Sequence, residues 1–275
     1  MMMLSKMILR NIYIVLAFLC VAPVYAQGDI PPAAPVAPVV VDSLPLPNMP
    51  KVQEVSKSTG EVSSNLAVLE LFSTQACVFC PKADAMMKNL IERDDLIALS
   101  CHVDYFDVGS GSRALPFCST RQIAYEKSLD QGPKYTPQMI VNGQYDVIGY
   151  KQEEVNATLA KLESQPIKRG TIMQSEHGLY RVSLPDMDFI QDRNYEVWLM
   201  VFDLPQKVKI ADGGNIGQEI TYYNLVSNVG LLGKWNGQSK EIIFDAKLNQ
   251  ESKGFAVIVQ EMQKNHVVVA AQYLK

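Results

Sequence analysis

The chain has 275 residues, 48% of them apolar, and a formal charge of −4. That length is more than one small domain needs and suits two. Mild acidity without a basic block gives no electrostatic case for nucleic acid or an anionic membrane surface.

Lys6 and Arg10 precede the apolar run NIYIVLAFLCVAPVYA, which closes on Val24-Tyr25-Ala26. A basic start, a short apolar core and small residues ahead of the cleavage point read as a secretory signal peptide, 1–26, cut after Ala26. Its core, Ile12 to Ala22, spans 11 residues, against about 20 for a membrane-crossing helix. Cys20 lies in that core and leaves with it. The expected location is periplasmic or secreted, with no membrane span after cleavage. Residues 27–61 follow as a linker, and 27–50 hold seven of the 15 prolines. That composition suits polyproline II and reads as a spacer.

From Asn65 the texture changes. NLAVLELFS is a buried strand, and KADAMMKNLIERDD carries Met86, Met87, Leu90 and Ile91 on one helical face. LIALSCHVDYFD is a second strand. STRQIAYEKSLDQG reads as a helix capped by Ser119 or Thr120 and stopped at Gly132. PQMIVNGQYDVIG is a hairpin around Asn142-Gly143, and KQEEVNATLAKLES a helix with Val155, Leu159 and Leu162 aligned. The order β-α-β-α-β-β-α suggests an α/β domain over 62–166. After Pro166 short strand candidates recur between turns such as Asp212-Gly213-Gly214, which suggests an all-β sandwich of seven or eight strands over 167–275.

The chemistry concentrates at Cys77 and Cys80, in LFSTQACVFCPK. Cys77 arrives as a strand ends and a helix begins, where unpaired N–H groups and the helix dipole favour a thiolate. Cys80, one turn on, can attack a mixed disulfide and release the substrate. Thr136-Pro137 stands just before a strand and is a candidate cis bond, leaving the Thr136 backbone to pair with an extended substrate. Cys101 and Cys118, 17 positions apart, form a possible second disulfide; two free thiols or an electron relay are the alternatives. His102 and Asp104 alternate on one strand and could add a metal ligand, but zinc wants four and no second CxxC exists.

The strand, CxxC, helix and later Thr-Pro hairpin resemble the thioredoxin superfamily, and VLELFSTQACVFC resembles its DsbA-like start. More narrowly, ELFSTQAC, HVDYFD, YTPQMIVNG and ITYYNLVSNVGLLGKW resemble the exported DUF1223 family over about residues 65–275. Phe106 stands where that family commonly has Trp, and Cys101 and Cys118 inherit no role from it. The resemblance implies an α/β thioredoxin-like domain followed by an all-β sandwich domain. It also implies that an acidic residue on the first strand, here Glu70, sits beneath the second cysteine and takes its proton. A solvent-facing glutamate is the alternative.

The expected activity is thiol–disulfide exchange with protein or small thiols and disulfides. Cys77 attacks, Cys80 resolves, Glu70 relays the proton, and Thr136 and Pro137 shape the substrate groove, with no organic cofactor and no metal. A second reading is a non-catalytic scaffold holding a partner, or a soft metal such as Cu(I), through the same dithiol. A third makes the sandwich the interacting part and the dithiol incidental.

Overall fold

The computed structural model describes residues 66–106, 112–130, 132–163, 165, 167–175, 178–187 and 194–275. The expected signal peptide and the linker lie outside the described residues.

The first half contains β1 (Ala67–Ser73), α1 (Cys80–Leu90), β2 (Leu96–His102), α2 (Pro116–Leu129), β3 (Gln138–Val141), β4 (Tyr145–Ile148) and α3 (Gln152–Leu162). Its sheet runs β2-β1-β3-β4, with β1 parallel to β2 and antiparallel to β3. The β3–β4 turn puts Asn142 and Gly143 at φ 50 and 66, the doubly left-handed geometry that an Asn-Gly pair tolerates. α2 begins at Pro116, earlier than its hydroxyl residues suggest, because the fixed φ of proline suits a first helical turn. It ends at Asp130, left-handed at φ 49, before Gly132 is reached. α1 and α3 cover one sheet face, with Met87, Leu90, Val155, Leu159 and Leu162 packed on Leu69, Leu71, Met139 and Val141.

The second half contains β5 (Lys168–Arg169), β6 (Thr171–Gln174), β7 (Tyr180–Leu184), β8 (Tyr195–Asp203), β9 (Gln206–Lys209), β10 (Glu219–Tyr222), β11 (Val226–Trp235), β12 (Lys240–Phe244), β13 (Ser252–Glu261) and β14 (Val267–Leu274). They form a five-stranded sheet β11-β8-β13-β14-β5, a three-stranded sheet β12-β7-β6 and a separate ribbon of β9 and β10. The segment EITYYNLVSNVG divides between the ribbon and the large sheet, with Asn224 at φ 45 at the break.

The expected α/β thioredoxin-like domain followed by an all-β sandwich domain is corrected by this arrangement. Among the described residues the structure is mostly β, 44% strand with three short helices, its strands spread over several sheets, and no helical α/β thioredoxin core is evident. The physical reason lies in β8 and β13, which are buried on both sides. Val197, Leu199, Val201, Phe255, Val257 and Val259 face the three-stranded sheet. Their alternates Met200, Phe202, Ala256 and Ile258 meet Val68, Ile97 and Leu99 of the first sheet. Burying each large side chain of that second set contributes about 1.5–3 kcal/mol, so the two halves share a core.

Candidate dithiol site

The loop between β1 and α1 is held locally before it reaches the cysteines. Ala76 N donates to Thr74 Oγ1 at 3.3 Å, and Cys77 N donates to Thr74 O at 3.4 Å. Cys80 N then donates to Cys77 O at 3.1 Å, closing the turn that opens α1. Both cysteines are free thiols, Cys77 half-buried and Cys80 fully buried. The difference follows from position: Cys80 shares the inward stripe of α1 with Ala83, Asp84, Met87 and Leu90, whereas Cys77 precedes the helix.

The pair is strongly asymmetric. A hydrogen bond from Cys80, the Thr136 side chain and the Phe79 and Cys80 amides together outweigh burial and hold Cys77 down at about 5. The same bond to Cys77, then burial, pushes Cys80 far above the thiol range, and the Asp84 charge adds to the rise. Thus Cys77 is the more readily ionised thiol of the pair and Cys80 keeps its proton.

Cys77 Sγ lies 3.5 Å from the Thr136 carbonyl oxygen, to which its thiol form donates. The Thr136–Pro137 peptide is cis. Positions 77, 80, 136 and 137 therefore converge on one place from two distant segments. Val78 and Phe79, between the cysteines, are exposed, and the Phe79 ring stacks on Tyr150 with centroids 6.0 Å apart.

Glu70 is not part of this place. Strand alternation sends Leu69 and Leu71 toward α1 and Glu70 to the opposite sheet face. There it pairs with Arg121, which donates to its Oε1 at 2.9 Å, and accepts from Tyr125 Oη. The buried acid beside the cysteines is Asp84. Ser73 Oγ donates to its Oδ1 at 3.0 Å, while Oδ2 has no hydrogen-bond partner among the described residues. Burial raises Asp84 to about 8. Its spacing of four from Cys80 on a helix, in a stripe of apolar residues, is a sequence signal for that contact.

Cys101 and Cys118 are joined as a disulfide between β2 and α2, inside a cluster with Phe72, Val103, Tyr125 and Ile140. His102 is buried with its ring edge-on to Tyr222, centroids 4.5 Å apart. Asp104 accepts from Ser119 Oγ, a serine that lies inside α2 and not at its cap. Among the described residues no group of three or more His, Cys, Asp or Glu is placed to hold a metal ion.

A contribution that local sequence patterns miss comes from the β9–β10 ribbon. Its connecting loop, with a short 3₁₀ turn at Gly213–Asn215, lies against the cysteine loop: Asn215 Nδ2 donates to Cys77 O at 2.7 Å.

The family described as a protein of unknown function (DUF1223) matches residues 68–260, from β1 into β13. Among solved structures, the chain is similar to a crystal structure of an Agrobacterium tumefaciens protein at 24% identity and a TM-score of 0.66, covering 76% of this chain and 95% of that one. It is also similar to HBP35 of Porphyromonas gingivalis at 13% identity and a TM-score of 0.50, covering 77% and 75% of the two chains. Both likenesses are of fold alone. No curated protein matches the chain.

Proposed function

The chain belongs to the DUF1223 family, and on that premise we propose that it is an exported thiol–disulfide oxidoreductase acting on protein or small thiols through Cys77 and Cys80. One observation carries the reading: a half-exposed thiol inclined to ionise stands beside a fully buried thiol and a buried carboxyl. A metal clip or a passive staple needs no such asymmetry.

The reaction balances as follows. The Cys77 thiolate attacks one sulfur of a substrate disulfide, forms a mixed disulfide and expels the other sulfur as a thiolate, which takes up a proton. Cys80 passes its proton to the ionised form of Asp84 and attacks the Cys77 sulfur. The Cys77–Cys80 disulfide forms and the second substrate thiolate leaves, so the substrate gains the two electrons that the pair loses. With Asp84 at about 8, both its forms are accessible near neutrality, which suits proton transfer in either direction. The Thr136 carbonyl, 3.5 Å from Cys77 Sγ, is placed to accept from the backbone of an extended substrate. The leader-like N-terminus and the Cys101–Cys118 disulfide both fit an oxidising compartment such as the periplasm or the cell exterior.

Exchange of the purified protein with glutathione tests the proposal. Rapid formation of a Cys77–glutathione adduct, resolved by Cys80, is expected. Tight stoichiometric Cu(I) binding without exchange would instead make the dithiol a metal holder.

A further inference from the structure

The ribbon loop meets the dithiol in an unusually specific way. Asn215 is 1% exposed; its Nδ2 donates to Gln75 O at 2.9 Å and to Cys77 O at 2.7 Å. Gly214 N donates to Ala76 O at 3.1 Å. Three consecutive carbonyls of the cysteine loop, at 75, 76 and 77, are therefore all taken by one short turn about 140 residues away in sequence. The approach leaves no room for side chains. A Cβ on Gly213, already at φ 80, would stand 2.8 Å from Ala76 Cα. One on Gly214 would stand 2.8 Å from Ala76 O and 2.6 Å from Val78 Cγ1. The turn is itself braced, with Asp212 accepting from Gly213 N at 2.6 Å.

We propose that the Gly213–Asn215 turn is a positioning device for the dithiol, with Asn215 as the positioning residue that sets the shape of the Cys77–Cys80 turn. The inference rests on the redox reading above and deepens it, because it makes the second half of the chain part of the site. The physical route is short. Fixing three successive carbonyls fixes the peptide planes between them, and with them the direction in which Cys77 projects its sulfur. The Cys77 carbonyl also accepts from Cys80 N at 3.1 Å, so Asn215 braces the same turn whose Phe79 and Cys80 amides hold the Cys77 sulfur. Ordinary packing between two halves would need neither an amide shared by two carbonyls nor two glycines facing one alanine.

The test is iodoacetamide alkylation of Cys77 across pH in the reduced full chain, comparing wild type with Asn215→Ala, Asn215→Asp and Gly214→Ala. Asn215→Asp keeps the size and removes the donor; Gly214→Ala keeps the donor and displaces the loop. Losing one such hydrogen bond is worth about three- to tenfold. The alkylation rate below the wild-type midpoint should fall by that factor in Asn215→Ala and at least as far in Asn215→Asp. Gly214→Ala should shift the same way, and thermal melts should show each variant folded. Profiles of Asn215→Asp and Gly214→Ala that superimpose on wild type overturn the proposal, and if Asn215→Ala does not fold, those two variants decide it. The readout is independent of turnover: a wild type that fails to exchange with glutathione defeats the redox reading, while the alkylation profiles still judge the clamp.

Discussion

Cys101 and Cys118 stand 17 positions apart and are bonded inside an apolar cluster, whereas Cys77 and Cys80 stand three positions apart and remain free at a loop. Closing a 17-residue separation removes enough unfolded-chain entropy to stabilise by about 3 kcal/mol, and a CxxC loop closes too little chain to match it. Reactivity runs the other way. The bonded pair is closed to solvent, with both residues at most 1% exposed, and has no thiolate to offer. The free pair has one partly exposed sulfur whose thiol is held down at about 5, which favours the anion near neutrality. Around one sheet, spacing and burial thus separate a stabilising bond from a thiol free to ionise.

The largest expected effect would break or secure that contrast at once. Cys77→Ser should reduce exchange with glutathione to background, because the thiolate is the nucleophile. The paired variant Cys101→Ala with Cys118→Ala should exchange within about twofold of wild type, since neither sulfur reaches solvent. Its denaturant midpoint should fall by the equivalent of about 3 kcal/mol. Loss of exchange in the double variant with stability unchanged would reverse the roles of the two pairs.

Asp84 sharpens the contrast, because its charge acts on the free pair. Asp84→Asn should slow resolution of a Cys77 mixed disulfide by about a hundredfold, the usual scale for a lost proton acceptor, read by quenched-flow trapping. It should also change the pH dependence of stability, with a definite sign. The folded protein holds the Asp84 proton up to about 8, against an ordinary value of 3.8. Between those values the unfolded chain ionises while the folded one does not, so stability drains as pH rises through the window and levels above it. Asp84→Asn removes that drain. The variant should gain about 2–4 kcal/mol over wild type at pH 7 and nothing at pH 4. A gain that is equal at both pH values would show that the carboxyl is not held neutral.

Much of the local architecture is legible in short stretches: the buried run AVLELFS becomes β1, and Asn142-Gly143 makes the turn between β3 and β4. What is hidden depends on partners distant in sequence. GFAVIV reads as continuously apolar, and a strand of that texture is buried on both faces. The run cannot name which two sheets will cover it, so the halves look separable in sequence and share a core in space. Resemblance favours Glu70 as the relay acid because it marks a strand, but strand alternation alone turns that side chain away from α1. Asp84 was within reach of the helical period from Cys80. Asn215 was not: it lies 138 residues from Cys77, and Asp-Gly-Gly-Asn reads only as a turn.

The smallest expected effect on exchange belongs to Glu70, and it isolates the two faces of the first sheet. Its carboxylate is buried with Arg121 and Tyr125, and Gln260 Nε2 from β13 donates to the Tyr125 hydroxyl at 2.8 Å. The cluster therefore links β1, α2 and the large sheet on the face away from Cys80. Glu70→Gln keeps the shape but leaves the Arg121 guanidinium, 7% exposed, without its counter-charge. Breaking a buried pair from one side costs about 3–5 kcal/mol, and both halves of the chain should lose that stability in a single transition because they share the cluster. Exchange with glutathione at a temperature where the variant remains folded should stay within about twofold of wild type, since no atom of the cluster touches either sulfur. A hundredfold loss, about 2.7 kcal/mol of barrier, would return Glu70 to the proton path and reduce Asp84 to a buried neighbour of Ser73.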